Sequence, residues 1–227
     1  MIKKIKRTVD HIRKNMPLER VDNYDSYWEK RKLQGKGGTT KRALMLDKYL
    51  HSGTLLDIGC GTGEFLEHFD RKGLDVDGID VSKNAIQTCR DKKLNVRPLN
   101  LLIKNRELNK KYDYITALCI LEHVQDPEIL MRKFKGHFKK GLFIAIPNTG
   151  FILDRFRLLL GKCPLTSIHY HVREHIRFWT VKDFKYWADK LDFEIVKIMP
   201  EPSDFGILAK LYPSLFASNI IYFLKEK

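Results

Sequence analysis

The stretch LLDIGCGTGEFLEHF, residues 55–69, decides the fold. It places three glycines, Gly59, Gly61 and Gly63, within five positions, between an apolar run and a helical pattern. TLLDIG (54–59) reads as a buried strand and GEFLEHFDRKG (63–73) as the helix that follows it. Glycine at the junction permits a sharp turn, tolerates positive φ and lets a ligand touch the backbone. Asp80 lies 17 residues after Gly63, an interval long enough for one helix and one strand. That interval brings a carboxylate to the end of the second strand, where it can accept both hydroxyl hydrogens of a ribose. The ligand read from these residues is therefore a nucleoside derivative.

Working outward, short apolar runs alternate with helical patterns from about residue 50. LDVDGID (74–80) gives the second strand, and Ser82 caps a helix with Ala85, Ile86 and Cys89 on one face. LNVRPLN and YDYITALCI supply the third and fourth strands. Asp126-Pro127 opens a helix, and GLFIAIPN (141–148) closes a fifth strand. Residues 149–176 read as an irregular insert containing one short helix, FILDRFRLLLG. Thr180 and Asp183 form a capping box, and FEIVKI and ASNIIYFL end the chain as an antiparallel edge pair. The expected fold is α/β: a doubly wound, mostly parallel seven-stranded sheet with an N-terminal helical extension.

The expected division is residues 1–38 as a helical extension or lid and 39–227 as the ligand-binding domain, with 149–176 as an insert on the acceptor side. Ile2, Ile5, Val9, Ile12 and Met16 recur at spacings of three and four among Lys and Arg. Such a basic amphipathic helix docks on its own domain or a second subunit, as in a homodimer, or lies on a membrane surface. Tyr24, Tyr27 and Trp28 follow, placed to cover a pocket.

The 227 residues, 43% hydrophobic and 31% charged, are those of a soluble globular protein, and no run suits a membrane span. The N-terminus has no apolar segment of the secretory type, and the four cysteines lack paired or metal-ligand spacing. A cytoplasmic protein with reduced thiols is expected. A net charge of +14 attracts any anion, so it admits nucleic acid, lipid or acidic metabolites without choosing among them.

The glycine pattern separates two kinds of nucleotide ligand. A dinucleotide site would carry a third glycine at position 64, where this chain has Glu64. Glutamate would repel a pyrophosphate. Together with Asp57 it suits a ligand end bearing an ammonium or sulfonium, and an adenosine with such an arm is S-adenosylmethionine.

LLDIGCGTGEF and VDGIDVS resemble the first two motifs of the class I S-adenosylmethionine-dependent methyltransferases. YDYITALCILEHVQDPEILMRKF and GLFIAIPN resemble their fourth- and fifth-strand motifs. REHIRFWTVKDFKYWADKLDFEIVKI is similar to the MetW-like branch and to methyltransferases of sugar and quinone pathways. The resemblance implies a Rossmann-like methyltransferase fold with S-adenosylmethionine as cofactor and S-adenosylhomocysteine as product. It places the cofactor against Asp57, Gly59, Cys60, Gly61, Gly63 and Asp80. Val81, Asn100, Leu101, Leu118 and Tyr27 complete that set. Asn100 stands where the family usually has an acidic residue facing the adenine amine.

Two histidines are candidates for work on the methyl acceptor. His123, after Glu122, lies just beyond the fourth strand and would serve as acid/base, positioning group or metal ligand; packing is the competing reading. His175 sits at the exit of the insert, where the resemblance places the pocket mouth. His169, His171 and His175 lack a carboxylate or cysteine to complete a metal set, so no metal site is expected. Cys119 reads as core. The implied activity is methyl transfer to oxygen or nitrogen of a small molecule. The alternatives are a cofactor-binding regulatory partner, as the MetW resemblance permits, and an RNA methyltransferase. The last fits poorly, because ALCILEH (117–123) replaces the Asn/Asp-Pro-Pro-aromatic turn of amino-directed nucleic-acid enzymes.

Overall fold

The computed structural model describes residues 2–18, 23–32, 37–103, 106–165, 168, 171–203 and 205–227. Seven strands form one sheet: β1 (Thr54–Ile58), β2 (Asp75–Asp80), β3 (Asn95–Pro98), β4 (Tyr112–Leu118), β5 (Phe138–Pro147), β6 (Phe193–Pro200) and β7 (Asn219–Glu226). Their order is β3-β2-β1-β4-β5-β7-β6. The first five are parallel; β7 runs antiparallel to both β5 and β6. The strand order reverses at β1, which opens a crevice beyond the carboxyl ends of β1 and β4.

Parallel strands joined by helices are covered on both faces, so their side chains alternate between two apolar layers. Along β5, Leu142, Ile144 and Ile146 enter one layer with Leu130, Met131, Phe134 and Phe184. Phe143 and Ala145 enter the other, with Leu46, Phe65, Phe69 and Ile86. The helices, in chain order, are α1 (Ile2–Arg13), α2 (Tyr24–Lys30), α3 (Gly37–Leu46), α4 (Glu64–Asp70) and α5 (Lys83–Asp91). They continue with α6 (Pro127–Phe134), α7 (Ile152–Leu159), α8 (Val181–Lys190), α9 (Ile207–Leu211) and α10 (Pro213–Phe216). The caps at Ser82 and Thr180 form as expected, the latter as a full capping box.

Besides α9 and α10, which stand between β6 and β7 where the sequence reads as a long loop, three features differ from the sequence reading. First, α3 is an additional helix whose Ala43 and Leu46 join the core. The glycine-threonine start at Gly37–Thr40 hides it from pattern reading. Second, α1 stops at Arg13, so Met16 leaves the stripe and stands half exposed. The reason is Arg157 on α7: its buried guanidinium donates to the carbonyls of His11, Ile12 and Lys14 at 2.8–3.1 Å. Those are orphan acceptors of a helix C-terminus, where a cation is favoured. His11 also meets Asp154 at 3.1 Å. The helix thus rests on the insert. Third, β5 begins three residues earlier than expected, at Phe138, because Tyr112 pairs with it there.

Candidate active site

The glycine turn is held by β2. Gly59 and Cys60 donate backbone N–H groups to the Ile79 carbonyl at 2.7 and 3.1 Å. Gly61 N–H donates to Asp80 Oδ2 at 2.9 Å, and Ser82 N–H to Asp80 Oδ1 at 2.8 Å. Asp80 therefore fixes the turn while still presenting unused lone pairs to the crevice. Burial raises its carboxyl above the ordinary value.

All three glycines have positive φ, at 70°, 54° and 81°. The atoms crowding them belong to the protein. A Cβ on Gly59 would strike Ile120, and one on Gly61 would lie 2.5 Å from the Trp28 ring. One on Gly63 would lie 2.6 Å from Leu94 and 2.8 Å from the Cys89 sulfur. The glycine spacing thus serves backbone conformation and close side-chain packing directly.

A cavity of about 710 Å³ opens beside this turn. Asp57, Gly59, Cys60, Gly61 and Asp80 line its floor, and Val81, Asn100, Leu101 and Leu118 line one side. Tyr27, His123 and His175 also reach it. Gly63 is the exception in the expected set: it lies off the cavity at the start of α4, packed on Leu94 and Cys89. Asn100 already uses its carbonyl oxygen, which accepts the Leu102 N–H at 2.9 Å. Asp57 is 4% exposed; burial drives its carboxyl from 3.8 up to about 7, against a 2.6 Å hydrogen bond from the Thr116 hydroxyl. A buried carboxylate at the cavity floor is a site for a cation.

The roof is α2. Asp25 accepts from the Ser82 hydroxyl at 2.6 Å and Asn84 donates to Glu29 at 3.0 Å, pinning the helix to the start of α5. Trp28 then lies over Gly61, and the Arg31 guanidinium lies over the Trp28 and Tyr27 rings at 4.9 and 5.3 Å. The expected aromatic cover is present. No sequence signal points to Arg31, or to Arg42 of α3, which also lines the cavity and pairs with Glu201 at 2.5 Å.

The opposite end is built from the exit of β4. Cys119 has φ +61°; it packs against the core, as its sequence setting suggests, and also lines the cavity, with Ala145 O anchoring its N–H at 2.8 Å. That turn delivers Glu122 and His123, on a 3-10 turn at Leu121–His123. Glu122 is 1% exposed, and burial raises its carboxyl. Its backbone carbonyl accepts from Ile176 and Arg177 N–H at 2.9 and 3.2 Å, which sets His175 beside it. The His123 and His175 rings meet edge to face at 4.9 Å, and His123 Nδ1 is hydrogen-bonded to the Glu174 carbonyl. His171, by contrast, caps its own turn by accepting the Arg173 N–H at 3.0 Å. His169 falls outside the described residues. The carboxylate missing from the insert's histidines in the sequence comes from β4, as Glu122.

This fold is shared with known proteins. The sequence model of the methyltransferase domain family matches residues 9–198. The chain belongs to that family, among the class I S-adenosylmethionine-dependent methyltransferases. It is similar to the ubiquinone biosynthesis O-methyltransferase of Coxiella burnetii, 23% identical over 154 residues, covering 63% of this chain and 64% of that one. It also resembles the protein of the same name from Serratia proteamaculans, 33% identical over 144 residues and 60% of each chain. The matches thus span less than two thirds of these relatives. Among solved structures, an S-adenosylmethionine-dependent methyltransferase from Archaeoglobus fulgidus superposes with TM-score 0.61 at 21% identity, covering 91% of this chain and all of the other. Magnesium protoporphyrin IX methyltransferase of Synechocystis, solved with S-adenosylhomocysteine bound, gives 0.59 at 15% identity, covering 100% and 94%. At these identities the structural likeness speaks for the fold.

Proposed function

We propose that the chain transfers a methyl group from S-adenosylmethionine to an oxygen or nitrogen of a small-molecule acceptor. The observation that carries this reading is the pair of buried carboxylates on one cavity floor. Asp80, held by two backbone N–H groups, suits a ribose diol. Asp57, buried with a single hydrogen bond from the Thr116 hydroxyl, keeps acceptor capacity for the cationic arm, whose charge would favour its ionised form against the burial that raises it. Leu101, Val81 and Leu118 offer apolar walls to an adenine, and Asn100 keeps its amide N–H₂ to donate to a ring nitrogen. When bound, the cofactor supplies an electrophilic methyl. The protein's part is alignment and exclusion of water, with Trp28 and Tyr27 closing the roof. His123 and His175, at the far end, receive the acceptor. A volume of about 710 Å³ leaves room for a metabolite beside a nucleoside.

The relatives named for ubiquinone biosynthesis support a hydroxyl-bearing small acceptor. The α1 helix resting on α7 supports docking on the domain itself; its basic surface would still attract anionic lipid or a second copy. The test is production of S-adenosylhomocysteine, followed by mass spectrometry, against a panel of phenolic, sugar and amine acceptors. Turnover with any of them supports the reading. Cofactor binding with no turnover across the panel favours the regulatory alternative.

A further inference from the structure

The far end of the cavity carries more than alignment requires. Neither oxygen of the buried Glu122 carboxylate has a hydrogen-bond partner of good geometry among the described residues; the neighbouring Cys119 thiol, a weak donor, is the group that faces it. A buried carboxyl left in that state is costly, and such groups are normally paired or bound to a metal. Arg42, whose charge also faces Glu122, is committed to Glu201 at 2.5 Å.

The two histidines are arranged to meet that carboxylate. The carbonyl of Glu174 can only accept, so His123 Nδ1 carries the proton and Nε2 the lone pair. Nε2 lies 3.9 Å from Glu122 Oε1. A ring nitrogen tied to a backbone carbonyl, with the other nitrogen left as donor, is the usual setting of a metal-ligating histidine. His175 is 6% exposed and stands across from His123. One donor atom from each of the three residues lies within 4.8 Å of the others. Metal–ligand bonds of about 2.0–2.2 Å hold donors roughly 3–4 Å apart, so side-chain movements of about 1 Å would close the site.

We propose that Glu122, His123 and His175 bind one divalent transition-metal ion, of the zinc or manganese kind, at the acceptor end of the cavity. Two imidazoles and one carboxylate favour such ions over magnesium or calcium, which select oxygen. Three protein donors leave coordination positions open to the cavity.

Resting on the methyl-transfer reading, the ion also chooses the acceptor atom. A coordinated amine has committed its only lone pair and cannot attack. A coordinated hydroxyl gives its proton to solvent more readily and keeps further lone pairs. One of these forms the new C–O bond while the C–S bond breaks with its electrons to sulfur, leaving a neutral thioether. The site therefore selects oxygen acceptors.

The experiment uses the full chain, stripped with chelator and titrated with Mn²⁺ and Zn²⁺ by calorimetry, with Mn²⁺ followed by electron paramagnetic resonance. Expected is one equivalent bound, weakened at least tenfold in Glu122→Gln and in His175→Ala, and unchanged in His137→Ala. Melting curves confirm folding, and His123→Ala replaces either variant that does not fold. Absence of stoichiometric binding with both ions overturns the proposal. Equal binding by wild type and the site variants overturns it as well. S-adenosylhomocysteine titrated into the chelator-treated protein tests the cofactor site separately, because Asp57 and Asp80 lie outside the metal set, and turnover with hydroxyl acceptors tests the transfer.

Discussion

Replacing Asp57 by Asn should stabilise the ligand-free protein at neutral to alkaline pH. Asp57 is almost fully buried, and burial outweighs the Thr116 hydrogen bond, with the nearby Asp80 charge adding to the upward push. The folded carboxyl therefore holds its proton up to about pH 7, whereas the unfolded chain releases it near 3.8. Between those values the native state binds more protons than the unfolded state, so stability falls as pH rises. The contribution is fully present below about pH 4 and lost by about pH 7. At about 1.4 kcal/mol per pKa unit the separation amounts to about 4 kcal/mol as an upper bound. Relaxation of the interior makes about 2 kcal/mol a better working figure. The amide can still accept from Thr116 and carries no charge to desolvate. For a chain of this size about 2 kcal/mol is roughly 4–8 °C in Tm. Melting curves of both proteins from pH 4.5 to 8 should show the variant gaining on wild type as pH rises. A gap independent of pH, or a wild type more stable at pH 8, would refute the burial argument.

Other outcomes follow from contacts already described. Gly61→Ala should destabilise the fold and lower cofactor affinity, since its Cβ meets Trp28 and its φ is positive. Adding Trp28→Ala should recover part of the stability, by removing the clash but not the strain of about 1 kcal/mol, as chemical denaturation would show. Arg157→Leu should cost about 3 kcal/mol or more, because one guanidinium satisfies the carbonyls of His11, Ile12, Lys14 and Cys163. Limited proteolysis should then cut within residues 2–14 well before the domain unfolds. Nucleic acid should bind through the +14 charge only at low salt, with affinity falling steeply as counterions are released. Sequence-selective binding at physiological salt would count against a small-molecule acceptor.

The sheet was legible because its signals are local. Alternating apolar runs, the caps at Ser82 and Thr180, and Pro127 at the start of α6 each name an element without tertiary help. The meeting of the glycine turn with Asp80 at the cavity was legible for a similar reason, since the two are separated by one helix and one strand. The purpose of the glycines was only partly so. That Ile120, Trp28 and Leu94 crowd them depends on three distant segments. At the other end of the cavity His123 and His175 were legible as candidates, but their surroundings were hidden for the same reason. Arg42 arrives on a helix with a weak pattern, and Cys119 turns into the cavity on an αL residue that its apolar neighbours conceal. His175 finds its carboxylate 53 positions earlier, through backbone bonds from Ile176 and Arg177 that no spacing rule announces.

Calorimetric titration of S-adenosylhomocysteine into wild type and Asp80→Asn tests the central claim most directly. The account predicts one site per chain in the wild type. It predicts a loss of about 1.5–3 kcal/mol in the folded variant, or roughly 10- to 150-fold in Kd, as a charged acceptor of ribose hydrogen bonds is removed. No binding to wild type, or equal affinity in a variant whose melting curve matches it, would contradict the assignment of this crevice.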